Sequence, residues 1–206
     1  MKKINYNSPL FDIDIRDALK KHIMAKSLIP KRLVDELSVH NGNARADLVA
    51  FYEYAHCFEI KSDKDTLSRL SRQVPYYEFT FKKNTLVTTE KFIKKAEVLI
   101  PAHWGIWLAK VGNDGDVKIH CCRAAKVNKN WHPEKALLTL WKSELFKLDS
   151  QVSSCNTPKN SSRAELANKI VRESTKKVIQ KGFFKTLTER FESELQPLKI
   201  TMRCQL

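Results

Sequence analysis

Ala46-Asp47-Leu48-Val49-Ala50-Phe51 and, one short turn later, Cys57-Phe58-Glu59-Ile60-Lys61-Ser62-Asp63 are the two stretches on which the fold turns. Both are short runs of apolar and β-favouring residues bounded by polar turn formers, the pattern of buried strands. Side chains alternate along a strand, so Glu59 and Lys61 share one face while Phe58 and Ile60 take the other. If the strands pair as a hairpin, Asp47 reaches the same end of the sheet. Two carboxylates and an ammonium gathered there suit a hard divalent cation and a positive group beside a phosphate and its attacking water. A solvent-facing strand would give the same alternation. The apolar character of the remaining residues in both runs argues for burial instead.

Further along, Leu67, Leu70 and Val74 fall at helical spacing, and Asp63 or Asp65 is placed to cap a helix over 64–78. Gln73 and Tyr77 are four apart and so share a face of that helix. Pro75 lies between them and threatens a kink. Tyr76 competes with Tyr77, which the spacing favours.

The set Asp47, Glu59-x-Lys61 and Gln73-x-x-x-Tyr77 resembles the PD-(D/E)xK nucleases, with the last element similar to the Gln-x-x-x-Tyr motif of the RecB-type and phage lambda exonuclease branch. The longer runs Arg45–Val49, Phe58–Asp63, Asp65–Leu70 and Gln73–Tyr77 look like a little-characterised bacterial and phage family of that superfamily. The likeness continues through Pro101–Ile106 and Leu140–Leu145, most of the first 150 residues. Ala46 stands where the superfamily motif carries proline. The resemblance implies an α/β restriction-endonuclease-like core with a mixed central sheet flanked by helices. It implies Mg²⁺ or Mn²⁺ held by Asp47, Glu59 and the Ile60 backbone carbonyl, with Glu36 on the preceding strand as a second-rank ligand. Lys61 would act at the attacking water or the scissile phosphate, and Gln73 and Tyr77 would orient these groups. Many nucleases of this fold work as dimers, so the resemblance extends to a homodimer as a candidate assembly.

Charge agrees with a polyanionic partner. The net charge is +14, from 37 basic and 23 acidic side chains, which favours encounter with nucleic acid. DNA is expected over RNA. Arg45, Lys64, Arg69 and Arg72 surround the motif, and Lys169, Arg172 and Lys176 stand at helical spacing near the C-terminus, where they clamp a backbone or form a solvated helix face. The expected organisation is a nuclease-like core over 1–148, a polar linker over 149–162 and a basic helical extension over 163–206, broken or kinked at Gly182. A single helix is expected over 132–147, opened by Pro133.

No apolar run reaches membrane-spanning length, and no apolar stretch follows the basic N-terminus. A cytoplasmic protein without membrane contact is therefore expected. Its five cysteines, Cys57, Cys121, Cys122, Cys155 and Cys204, are irregularly spaced, which speaks against structural zinc. Trp104 and Trp107 could stack on bases, but core packing suits them better. Two other classes stay open: a catalytically idle nucleic-acid-binding module and a protein-interaction module, both on the same fold.

Overall fold

The computed structural model describes residues 8–153 and 157–192. Six strands lie side by side in chain order: β1 (Arg32–Val39), β2 (Ala44–Phe51), β3 (Ala55–Lys61), β4 (Lys83–Thr88), β5 (Gly105–Val111) and β6 (Val117–Arg123). β1, β2 and β3 form an antiparallel meander, β4 runs parallel to β3 and β5 to β4, and β6 turns back antiparallel. Parallel neighbours need crossovers. Helix α2 (Leu70–Thr80) supplies one between β3 and β4, and α3 (Ile93–Leu99) supplies one between β4 and β5.

Helix α1 (Asp12–Met24) covers one face, burying Ile15, Leu19 and Ile23 against Leu48, Ala50, Phe58, Ile60 and Trp107. The other face packs Val49, Phe51, Cys57 and Leu86 against α2 and against α4 (Pro133–Leu137), α5 (Lys142–Val152), α6 (Arg163–Glu173) and α7 (Lys176–Glu192). With both faces covered, β2 and β3 can be apolar almost throughout. This is a mixed α/β fold with a helical C-terminal part, as expected.

Several boundaries differ from the sequence expectation, each for a long-range reason. Helix α2 begins at Leu70 rather than 64, and neither Asp63 nor Asp65 caps it. Asp65 turns back to accept from the Ser62 amide at 2.8 Å and the Ser62 hydroxyl at 2.6 Å. Asp63 accepts from the Leu10 amide at 2.8 Å and the Thr89 hydroxyl at 2.5 Å, tying the segment before α1 to the end of β3. The helix expected over 132–147 is two, α4 and α5. Between them the Arg163 guanidinium takes the carbonyls of Leu138 and Leu140, and Arg190 takes that of Thr139.

Helix α5 occupies 149–152, the first part of the expected linker. The C-terminal helical break falls between Glu173 and Lys176, not at Gly182, which lies inside α7. A Cβ at Gly182 would sit 2.5 Å from Leu148 Cδ1, so the glycine allows close approach of α7 to α5. Residues 193–206 of the expected extension, Cys204 among them, and Cys155 lie outside the described residues.

Candidate functional site

Register places the motif. β2 and β3 are paired as far as Leu48 opposite Phe58. At the next position the Asp47 carboxylate, rather than a strand carbonyl, accepts from the Ile60 amide at 2.7 Å. The strands part here, and a cleft of about 690 Å³ opens, lined by Asp47, Glu59, Lys61, Arg45, Arg69, Arg72 and Gln73.

Within it Glu59 is fully buried and both of its oxygens are held. Lys61 Nζ donates to Oε1 at 2.5 Å and the Tyr77 hydroxyl to Oε2 at 2.8 Å. Tyr77 is also 2.8 Å from the Arg45 carbonyl and accepts from Gln73 Nε2 at 3.2 Å. Pro75 is thus accommodated inside α2 without separating Gln73 from Tyr77. Tyr77 is the tyrosine of the site, whereas the Tyr76 ring packs by His40.

These contacts set the site's electrostatics. Burial, and then the charge of Glu59, push the Asp47 carboxyl up to about 8, against the pull of the Ile60 amide, Lys61 and Arg16. Burial opposes the Lys61 charge, but Glu59 and Asp47 outweigh it and hold the ammonium above its ordinary value. Burial and Glu59 raise the Tyr77 phenol far above its usual range, so it remains a donor. Two carboxyl groups crowded where one keeps its proton to pH 8 would be relieved by added positive charge.

The donors are hard oxygens, which fits magnesium or manganese by type. Among the described residues no three His, Cys, Asp or Glu side chains converge, so the remaining ligands would be backbone, water or phosphate.

Arg16, on α1, was not anticipated from the sequence. Its guanidinium donates to the Asp47 carbonyl, to Asp35 Oδ1 at 3.1 Å and to Glu36 Oε1 at 2.9 Å, and it pairs with Asp12. It fixes the backbone of Asp47 from the opposite face of the sheet. The only sequence signal was an arginine beside the apolar stripe of Ile15 and Leu19.

Glu36 has a positive φ of 55°, and its carboxylate lies between Arg16 and Arg45, 2.7 Å from Arg45 Nε. It lines an adjoining groove rather than the cleft of Asp47 and Glu59.

Arg45, Arg69 and Arg72 line the cleft mouth and Lys64 does not, its ammonium lying over the Phe11 ring. Lys169 turns inward to Asp149 at 3.2 Å and Thr157 at 2.6 Å, away from any basic face. Arg172 and Lys176 are exposed, Lys176 lying over the Trp131 ring, and neither lines the cleft. Trp104 and Trp107 are core residues. His103 Nε2 lies 2.9 Å from Glu78 Oε1, to which Trp104 Nε1 also donates at 2.7 Å. No described helix is long and apolar enough to cross a membrane.

Fold and site together define a mixed α/β protein with a buried carboxylate–lysine–tyrosine centre under an arginine-rimmed cleft. The chain belongs to the bacteriophage P4 protein cII family, whose model matches residues 11–203. It is 28% identical over 139 residues to Protein cII of Enterobacteria phage P4, covering 67% of this chain and 52% of that protein. The chain therefore spans about half the length of this curated relative. It is also similar to a solved structure, the SPO1766 protein of unknown function from Silicibacter pomeroyi. That likeness has a TM-score of 0.44 at 17% identity and covers 72% of this chain and 96% of the other.

Proposed function

We propose that the protein is a metal-dependent nuclease that hydrolyses phosphodiester bonds, with DNA the favoured substrate. The observation that carries this reading is that Asp47, Glu59 and Lys61 line one cleft at the point where β2 and β3 separate, with Asp47 held by the Ile60 amide and Glu59 by Lys61. The resemblance of Asp47, Glu59-x-Lys61 and Gln73-x-x-x-Tyr77 to PD-(D/E)xK nucleases supports it. So does the net charge of +14.

In this reading Asp47, Glu59 and the Ile60 carbonyl hold Mg²⁺ or Mn²⁺. When bound, such an ion lowers the pKa of a coordinated water and polarises a phosphate oxygen. The chain's own groups do the rest. Lys61 brings a fixed positive charge to the developing negative charge at phosphorus. Tyr77, backed by Gln73, keeps Glu59 in one orientation. Arg45, Arg69 and Arg72 take the flanking phosphates, contacts that position a strand without reading its sequence. Arg16 holds the backbone that carries Asp47.

The test is cleavage of labelled DNA and RNA in Mg²⁺ or Mn²⁺ against EDTA, with wild type beside Lys61→Ala and Asp47→Ala. Metal-dependent cleavage that both substitutions abolish, with the fold retained, is the expected result. Full activity in either variant refutes the assignment. Salt-sensitive binding without cleavage points to a nucleic-acid-binding module, and retention on a protein partner after nuclease treatment to an interaction role.

A further inference from the structure

Trp141 is 56% exposed, whereas the other three tryptophans, Trp104, Trp107 and Trp131, are buried. An indole left in water forgoes a large apolar stabilisation, yet this one is held in place. It stands at the start of α5, where its amide donates to Glu144 Oε2 at 2.6 Å. The same carboxylate takes the Arg190 guanidinium, Nε to Oε1 at 2.7 Å and Nη2 to Oε2 at 2.5 Å. Arg190 also donates to the Thr139 carbonyl at 3.1 Å, and its guanidinium lies 4.4 Å from the centre of the Trp141 ring. One face of the indole therefore rests on a buried, fixed cation.

The position matters as much as the support. Trp141 lines a groove of about 360 Å³ with Arg163 and Arg190. Ser38 and Gly42 border both this groove and the cleft of Asp47 and Glu59, so the two adjoin. The acidic residues on its wall, Asp35 and Glu36, are neutralised by Arg16, Lys20 and Arg45.

We infer that Trp141 is a stacking platform for an unpaired base of a single-stranded nucleic acid whose backbone continues into the Asp47–Glu59 cleft. This deepens the nuclease reading and rests on it for the cleft, not for the platform. A base inside a duplex has both faces covered, so only a single strand or a frayed end can offer one. A base on the free indole face adds a second layer to a stack already set on Arg190, and ordering costs little because the ring does not have to be fixed.

The experiment is titration of the full chain in EDTA with a twelve-residue oligothymidylate, the matching oligouridylate and a blunt hairpin duplex. Tryptophan emission and the anisotropy of a labelled strand are read together. The expected result is saturable quenching by single strands and weak quenching by the duplex; the two single-strand arms rank DNA against RNA. Trp141→Ala should lose the quenching and bind about tenfold or more weakly, Trp141→Phe should recover most of the affinity, and thermal midpoints should be unchanged. Single-strand binding by Trp141→Ala as tight as wild type overturns the platform. So does a loss of binding that sedimentation traces to a change of oligomeric state. Quenching by wild type without cleavage in Mn²⁺ supports the platform while refuting the nuclease.

Discussion

Tyr77→Phe removes one oxygen atom from the centre of the site and nothing from the packing of the ring. The phenol is fully buried against Trp104 and Phe81, and phenylalanine fills that space. What is lost is the donor to Glu59 Oε2 at 2.8 Å, the alternative contact to the Arg45 carbonyl at 2.8 Å and the acceptor for Gln73 Nε2 at 3.2 Å. The hydroxyl has one hydrogen, so these contacts are not additive. A hydrogen bond to a charged group contributes about 1.5–3 kcal/mol, and the stranded oxygen belongs to a carboxylate that water does not reach. Gln73 is half-buried and its amide is neutral, so losing its acceptor counts for less than stranding the carboxylate. The expected loss is therefore about 2–3 kcal/mol, which for a chain of this size is a fall of about 5–10 °C in thermal midpoint. Urea unfolding followed by circular dichroism measures it, with Tyr76→Phe as the control that should change little. Cleavage should fall at least tenfold, because Glu59 loses one of the two donors that fix it. A Tyr77→Phe protein as stable and as active as wild type would show that the hydroxyl does not hold Glu59.

Other outcomes follow from the same geometry. Between about pH 4 and 8 the metal-free folded chain keeps a proton on Asp47 that the unfolded chain has released, so stability falls as pH rises through that window, by up to about 1.4 kcal/mol per unit; urea midpoints against pH should show this slope, and Asp47→Asn should flatten it. A divalent ion must displace that proton, so cleavage at subsaturating Mn²⁺ should climb with pH and level off near 8. Burial, aided by Lys83 and Lys26, lowers His56 to about 3, and its ring lies 2.8 Å from Thr85 Oγ1. Here the unfolded chain binds the extra proton, so stability is lost as pH falls from about 6.5 towards 3, and His56→Gln should have a flatter acid limb in the same assay. Gly182→Ala should destabilise by about 1–3 kcal/mol in urea despite alanine's better helix propensity, because the new methyl meets Leu148 at 2.5 Å.

What the sequence disclosed was local. The alternation of Phe58, Glu59, Ile60 and Lys61 placed charged and apolar groups on opposite faces, and the four-residue interval put Gln73 beside Tyr77; both need only strand and helix geometry. What it hid was decided by distant partners. The basic spacing of Lys169 looked like a solvated face until Asp149, twenty positions earlier, drew the ammonium inward. The chain between α4 and α5 is an apolar run that periodicity alone extends as helix. Arg163 and Arg190, arriving from α6 and α7, hold its carbonyls in a turn instead. Arg16 was invisible for the same reason, since its worth lies in the Asp47 carbonyl on another element.

The claim from which the rest follows is that Asp47 and Glu59 together take a divalent cation. Calorimetric titration of Mn²⁺ into the metal-free chain at pH 8 tests it directly, with wild type, Asp47→Asn and Glu59→Gln compared. The expected result is saturable binding by wild type that either substitution weakens at least tenfold while the circular dichroism spectrum is unchanged. Mn²⁺ binding of equal strength in all three proteins, or none in wild type, would contradict it.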